Sequence, residues 1–173
     1  TTLFRSDNHV DALIAWQAFV YAQSSDEAIR SFFRQYEPLP FVGIERGIPG
    51  YPCVHLDTQE GVCELISHLV NDHGYQKIAC LANRARSAQL RRRVFETDMQ
   101  KRGLFNPDLV ASSLSTLDER GLRPGIDYEA VIGQVDSMAI SIIETLTARG
   151  VRVPEDVAVT GFNDSRQAAI ARP

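Results

Sequence analysis

The residues of this chain best placed for recognition chemistry are Gly161, Asn163 and Asp164, which follow the short apolar run Val157-Ala158-Val159. A β-branched run with little alternation is what a parallel strand covered on both faces requires, and ligands in open α/β sheets bind in the crevice beyond the carboxyl ends of such strands. A small residue followed by an amide and a carboxylate offers close approach, a donor and several acceptors at that edge; the same residues could instead close a ligand-free Asx turn. Trp16, with Phe19 and Tyr21 beyond it, ends another such run, Val10 to Trp16. An indole there can stack on a sugar or a base, or pack into the core.

Catalytic chemistry finds no foothold. No G-x-G-x-x-G or G-x-x-x-x-G-K-[ST] stands at a strand–helix junction, and no Ser, Cys or His sits in a nucleophile setting. His55 reads as a strand-end residue, and His68 and His73 as helix-surface residues. Cys53, Cys63 and Cys80 are odd in number and lack a C-x-x-C pair, so neither a disulfide framework nor a zinc site is suggested and each reads as a small apolar residue. The sequence therefore predicts a binding module that is not an enzyme, with no catalytic residue, metal or cofactor. The net charge of −4 over 173 residues argues against this segment gripping phosphate backbones by itself. No apolar run approaches the roughly 20 residues that span a bilayer, and no basic-then-apolar leader is present, so a cytoplasmic location without membrane contact is expected.

The elements that must position these residues follow from periodicity. Ser24 to Glu27 resembles a capping box ahead of Ile29, Phe32, Phe33 and Tyr36 at helical spacing; Pro38 and Pro40 stop that helix before the strand Phe41-Val42-Gly43-Ile44. After a turn from Gly47 to Pro52 comes a short strand through Val54 and Leu56. Asp57, with Glu60 three residues on, starts a helix whose face carries Val62, Leu65, Ile66, Leu69 and Val70. The strand Lys77 to Ala82 follows, then a helix carrying Leu90, Val94, Phe95 and Met99 and ending at Gly103. Ala130-Val131-Ile132 reads as a strand and Ser137 to Arg149 as a helix closed by Gly150, with Pro154 forbidding its continuation. Strand alternating with helix predicts an α/β architecture of parallel sheets and right-handed crossovers.

These pieces together resemble the ligand-binding domain of the lactose-repressor (LacI/GalR) family. The resemblance is carried by Leu39-Pro40-Phe41-Val42, Val54-His55-Leu56-Asp57 with Gly61, His68-Leu69-Val70, and His73-Gly74-Tyr75-Gln76-Lys77-Ile78-Ala79. It continues through Ser87-Ala88, Arg91, Asp136-Ser137-Met138-Ala139 and Arg149 to Asp164. It implies the two-lobed periplasmic-binding-protein-like I fold, with residues 1–55 as a partial amino-terminal lobe and 56–173 as the carboxyl-terminal lobe. The family's helix-turn-helix domain, and the first strand and helix of its amino-terminal lobe, are expected ahead of residue 1. Between Val110 and Ala130 there is too little sequence for the family's usual strand, helix and loop, so either a shortened lobe or a missing segment is expected.

For function, the resemblance implies an effector-sensing domain of a transcriptional regulator, with a small molecule held in the inter-lobe cleft, DNA reached only through another domain, and a side-by-side homodimer. The same sensor type fused to a cyclase or kinase output, a nucleotide-dependent α/β enzyme, or a degenerate lobe kept for dimerisation are the other readings. Carried over, Arg91 matches the family's pocket arginine and Glu45 an acidic residue at a strand end; Asp136, Asn163 and Trp16 complete the expected ligand set. Two departures bear on the effector. Val135 replaces the Asn of the usual Asn-Asp pair, and Asn163 the first Asp of Gly-Phe-Asp-Asp. Each hydrogen bond lost to a buried ligand group costs about 1–3 kcal/mol, so the expected effector is sugar-like or anionic and not a standard hexose. The helix from Ser137 to Arg149 spreads Met138, Ile140, Ile142, Ile143 and Leu146 over more than one face, which suits a dimer contact.

Overall fold

The computed structural model describes residues 11–16, 25–45, 47 and 50–171, and divides into two compact units, Thr1–Asp57 and Thr58–Pro173. Phe19, Tyr21 and Ser24 lie outside the described residues.

In the first unit three parallel strands, β1 (Leu13–Trp16), β2 (Phe41–Ile44) and β3 (Cys53–Val54), lie in that order. Helix α1 (Asp26–Arg34) connects the first two. Its cap is Ser25, whose hydroxyl accepts from the Ala28 amide at 3.2 Å, and not the Ser24 that the capping-box pattern points to. Either serine has an acidic residue near the third following position, so the pattern alone could not choose between them. Ile29 and Phe33 of α1 are buried with Phe41, and the Phe33 and Phe41 rings stand 4.1 Å apart. This small aromatic cluster fixes the helix on its sheet.

The second unit has a separate parallel sheet of order β5-β4-β6-β7, made of β4 (Ile78–Leu81), β5 (Val110–Ala111), β6 (Ala130–Gly133) and β7 (Ala158–Thr160). Side chains alternate across it. Ile78, Cys80, Ala130 and Ile132 pack on α2 (Thr58–Ser67) and α3 (Arg86–Lys101), with Val62, Ile66, Phe95 and Met99 supplying the helical side of that core. Ala79, Leu81 and Val131 face α4 (Leu114–Glu119) and α5 (Asp136–Ala148), where Leu114, Leu117, Ile142 and Leu146 are buried. A short α6 (Arg166–Ile170) follows β7. Continuous burial of β4 and β6 explains why both read as nearly unbroken apolar runs.

Two expectations are corrected here. Leu90 is 47 % exposed, whereas its neighbour Arg91 is 4 % exposed and takes the inward position on α3. A leucine at that spacing reads as core, yet the buried register of the helix runs Ala88, Arg91, Phe95, Met99. The stretch from Val110 to Ala130 is also complete in itself: β5, then α4 capped by the Ser113 hydroxyl on the Thr116 amide at 3.3 Å, then a turn leading to β6. Ser112, Ser113, Ser115 and Thr116 are weak helix formers, and only Leu114 and Leu117 mark the buried face of so short a helix.

Candidate ligand-binding site

In the second sheet the chain leaves β4 toward α3 on one face and leaves β6 toward α5 on the other. These adjacent parallel strands are therefore a topological switch point, where diverging connections open a crevice at the carboxyl ends. Arg91 lies there. Its Nε donates to Gln134 Oε1 at 3.2 Å and its Nη2 to the Gln134 carbonyl at 2.8 Å, all buried. Gln134 is the residue after β6; its own Nε2 reaches Cys80 Sγ on β4 at 3.0 Å. Burial pushes the Cys80 thiol up to about 12, with the Gln134 contact pulling weakly the other way, so this sulfur is a packed neutral group and not a nucleophile.

The floor of the site is Phe162. The Arg91 Cζ stands 4.5 Å from its ring centroid, a cation–π contact. On α2, Gly61 lies against the ring, where an added Cβ would make an ordinary contact at 3.8 Å. The segment carrying Phe162 is held by Asp136. The Asp136 amide donates to the Phe162 carbonyl at 3.1 Å, and Asp136 Oδ2 accepts from the Ser165 amide at 2.7 Å. Gly161 passes this carboxylate so closely that a Cβ would stand 2.5 Å from Oδ1 and 3.0 Å from the Asp136 Cα. Between these anchors Asn163 and Asp164 take positive φ, +103° and +49°, a region that short polar side chains tolerate better than others. Both are exposed.

The structure thus brings Arg91, Asp136 and the loop bearing Asn163 together, but with different exposures. Asp136 is 6 % exposed and its carboxylate is engaged with the chain itself, whereas Asn163 is open to solvent. Glu45 belongs to the first unit, immediately after β2; it also has positive φ (+75°), and its amide donates to the Val54 carbonyl at 2.8 Å. Trp16 ends β1, paired with Ile44, and its ring lies outside the described residues. Reading the sequence missed Gln134 and Phe162. The available signal was a glutamine directly after a fully buried strand, where a polar side chain must find a partner. Thr160, last in β7, carries a buried hydroxyl without a hydrogen-bond partner among the described residues.

A groove of about 430 Å³ runs between α4 and α5 and reaches the carboxyl ends of β4 and β6; Leu81, Asn83, Ser112, Val135, Ser137 and Met138 are among the residues that line it. Among the described residues no group of three or more His, Cys, Asp or Glu gathers as a metal site, and no helix is long and apolar enough to cross a membrane.

Residues 66–173 match the family described as periplasmic binding protein-like domain. The chain belongs to this family. Within it, this periplasmic binding protein-like domain is of the LacI/GalR type that its residues resemble. It is 24% identical over 163 residues to the HTH-type transcriptional regulator GalR of Streptococcus thermophilus, covering 86% of this chain and 49% of that protein. It is 25% identical over 182 residues to the HTH-type transcriptional repressor PurR of Aliivibrio salmonicida, covering 97% and 52%. The domain therefore spans about half the length of these relatives. Among solved structures, a LacI family transcriptional regulator from Mycobacterium smegmatis superposes with TM-score 0.75 at 24% identity, covering 96% of this chain and 63% of that one. A sugar-binding regulator of the same family from Escherichia coli, complexed with phosphate, superposes with TM-score 0.73 at 24% identity, covering 93% and 60%. These structural likenesses establish the α/β fold with parallel sheets flanked by helices.

Proposed function

We propose that this chain is the effector-sensing part of a LacI-type transcriptional regulator: it binds a small molecule and passes the change to a DNA-binding output domain elsewhere in the protein. The observation that carries this reading is Arg91, a buried guanidinium placed at the switch point of a parallel sheet and fixed over Phe162. A net charge of −4 agrees with DNA contact lying outside this segment. The module is a non-catalytic binder, cytoplasmic, and a homodimer in which α5 supplies the contact. Ile140 and Ile143 on that helix are half-buried within the chain, leaving apolar surface for a partner.

Arg91 contacts the effector together with Asn163, and Asp136 acts by holding the loop between Gly161 and Ser165. Because Nε and Nη2 of Arg91 both donate to Gln134, an effector that takes this edge must displace Gln134. The effector is sugar-like or anionic and is not a standard hexose, given Val135 and the neutral amide of Asn163. The E. coli relative was solved with phosphate and a Lactobacillus casei regulator with sucrose, so both chemistries occur on this fold. A thermal-shift panel of sugars, sugar phosphates and small carboxylates tests the reading. A hit should lose its shift in Arg91→Lys, which keeps the charge but not the fork. Strong stabilisation by glucose or galactose would contradict the effector class, and a hit unaffected by Arg91→Lys would contradict the site.

A further inference from the structure

At the end of α2 the helix does not stop but widens. Residues His68–Asp72 form a π-turn, closed by the His73 amide donating to the His68 carbonyl at 3.3 Å. The widening has a consequence for the side chains. In a regular α-helix, residues five apart point about 140° away from each other, so His68 and His73 would not meet. Here they do: His68 Nε2 and His73 Nε2 are 3.0 Å apart, and the two rings stand edge to face with centroids 4.5 Å apart. On the other side of His68, Nδ1 lies 2.8 Å from Asp72 Oδ2, with both side chains more than half exposed. His73 is backed by the Tyr75 ring, stacked at 5.7 Å.

The arrangement fixes proton positions. The Asp72 carboxylate can only accept, so it holds the His68 proton on Nδ1 and leaves a lone pair on Nε2, pointing at His73. In the neutral pair His73 donates from Nε2 into that lone pair. A carboxylate that holds one imidazole nitrogen and leaves the other nitrogen's lone pair outward is also the arrangement that orients a metal-binding histidine. The spacing fits. Two metal–nitrogen bonds of about 2.0–2.1 Å meeting at 90–110° place their nitrogens about 2.9–3.4 Å apart.

We propose that His68 and His73 form a two-imidazole site for a divalent transition-metal ion, with Asp72 as the positioning residue. The ion displaces the bridging proton and, at about 2.0–2.1 Å from each nitrogen, lies off the line between them, so each ring turns by about 40° to aim its lone pair at the ion; His73 keeps one proton by carrying it on Nδ1 and coordinates through Nε2. Because no third protein ligand gathers among the described residues, water completes the shell and affinity is moderate. Imidazole donors favour nickel, copper and zinc over magnesium or calcium. The site lies on the surface of the second unit, apart from Arg91, and does not depend on the effector reading.

The test is calorimetric titration of the full chain with nickel(II) in a non-coordinating buffer; nickel avoids the oxidation of Cys53 and Cys63 that copper would bring. One ion per chain should bind in the micromolar range. His68→Ala and His73→Ala should each weaken it at least about tenfold, and Asp72→Asn about tenfold through loss of orientation. His55→Ala should leave it unchanged. His68, Asp72 and His73 are all exposed, so circular dichroism should show folded variants. Absence of saturable binding below millimolar nickel, or binding that survives His68→Ala or His73→Ala, overturns the proposal. Equal weakening by magnesium competition overturns the imidazole assignment.

Discussion

Replacing Arg91 by methionine keeps an unbranched, mostly apolar stem but shortens the side chain and removes every donor, and its cost can be worked from the contacts. Two hydrogen bonds from a charged donor to Gln134, at 3.2 and 2.8 Å, contribute about 1.5–3 kcal/mol each when formed. The Phe162 stack adds about 0.5–2 kcal/mol. Against this, methionine no longer has to bury a guanidinium, which recovers several kcal/mol of desolvation. What is not recovered is the position of Gln134, which is 3 % exposed and would hold two carbonyl oxygens stripped of their donor, each costing about 1–3 kcal/mol. Arg91→Met should therefore destabilise by about 2–4 kcal/mol. Gln134→Met, which removes Oε1 but leaves the backbone carbonyl that Nη2 reaches, should cost less, and the double variant should cost less than the sum because the Nε–Oε1 bond is lost only once. Urea denaturation of the four proteins closes the cycle. A coupling energy of about 1–3 kcal/mol is expected; strict additivity, or an Arg91→Met cost below about 0.5 kcal/mol, would refute Gln134 as the partner that holds Arg91.

Gly161→Ala should cost about 1–3 kcal/mol and loosen the loop to Ser165, because the new methyl would meet Asp136 Oδ1 at 2.5 Å and its Cα at 3.0 Å; unchanged stability and unchanged Ser165 amide exchange would contradict that packing. Stability should fall as pH rises through the alkaline range. Burial raises Cys80 from 9.0 and Tyr128 from 10.0, both to about 12. The folded chain thus keeps protons that the unfolded chain releases, and stability present below about pH 9 is lost as pH climbs toward 12. Tyr128→Phe removes the tyrosine share of that loss. It should also leave neutral-pH stability unchanged or raise it by about 1 kcal/mol, since the fully buried Tyr128 hydroxyl has no partner among the described residues. A steeper alkaline loss in Tyr128→Phe would show the reasoning to be wrong.

The strands and long helices were legible because burial on both faces of a parallel sheet leaves unbroken apolar runs, as in Ile78–Leu81 and Ala130–Gly133. Arg91 was legible as a site residue only through resemblance, because periodicity assigned its inward place to Leu90. Gln134 and Phe162 escaped because their roles are relational: nothing local tells a glutamine after a strand that an arginine 43 residues earlier will need its carbonyls. Helix α4 was misjudged since six residues with two buried leucines are too few for a period to declare itself. His68 and His73 were read as separate surface residues because α-helical geometry keeps positions five apart on different sides, and only the π-turn joins them.

The central claim is that an effector binds at the carboxyl ends of β4, β6 and β7. Amide chemical-shift mapping of the full chain, titrated with whichever compound gives a thermal shift, tests it most directly. The account predicts the largest shifts at Arg91, Gln134 and Phe162 to Ser165, with the same titration silent in Arg91→Lys. Shifts confined to the amino ends of these strands, or to the groove between α4 and α5, would contradict it.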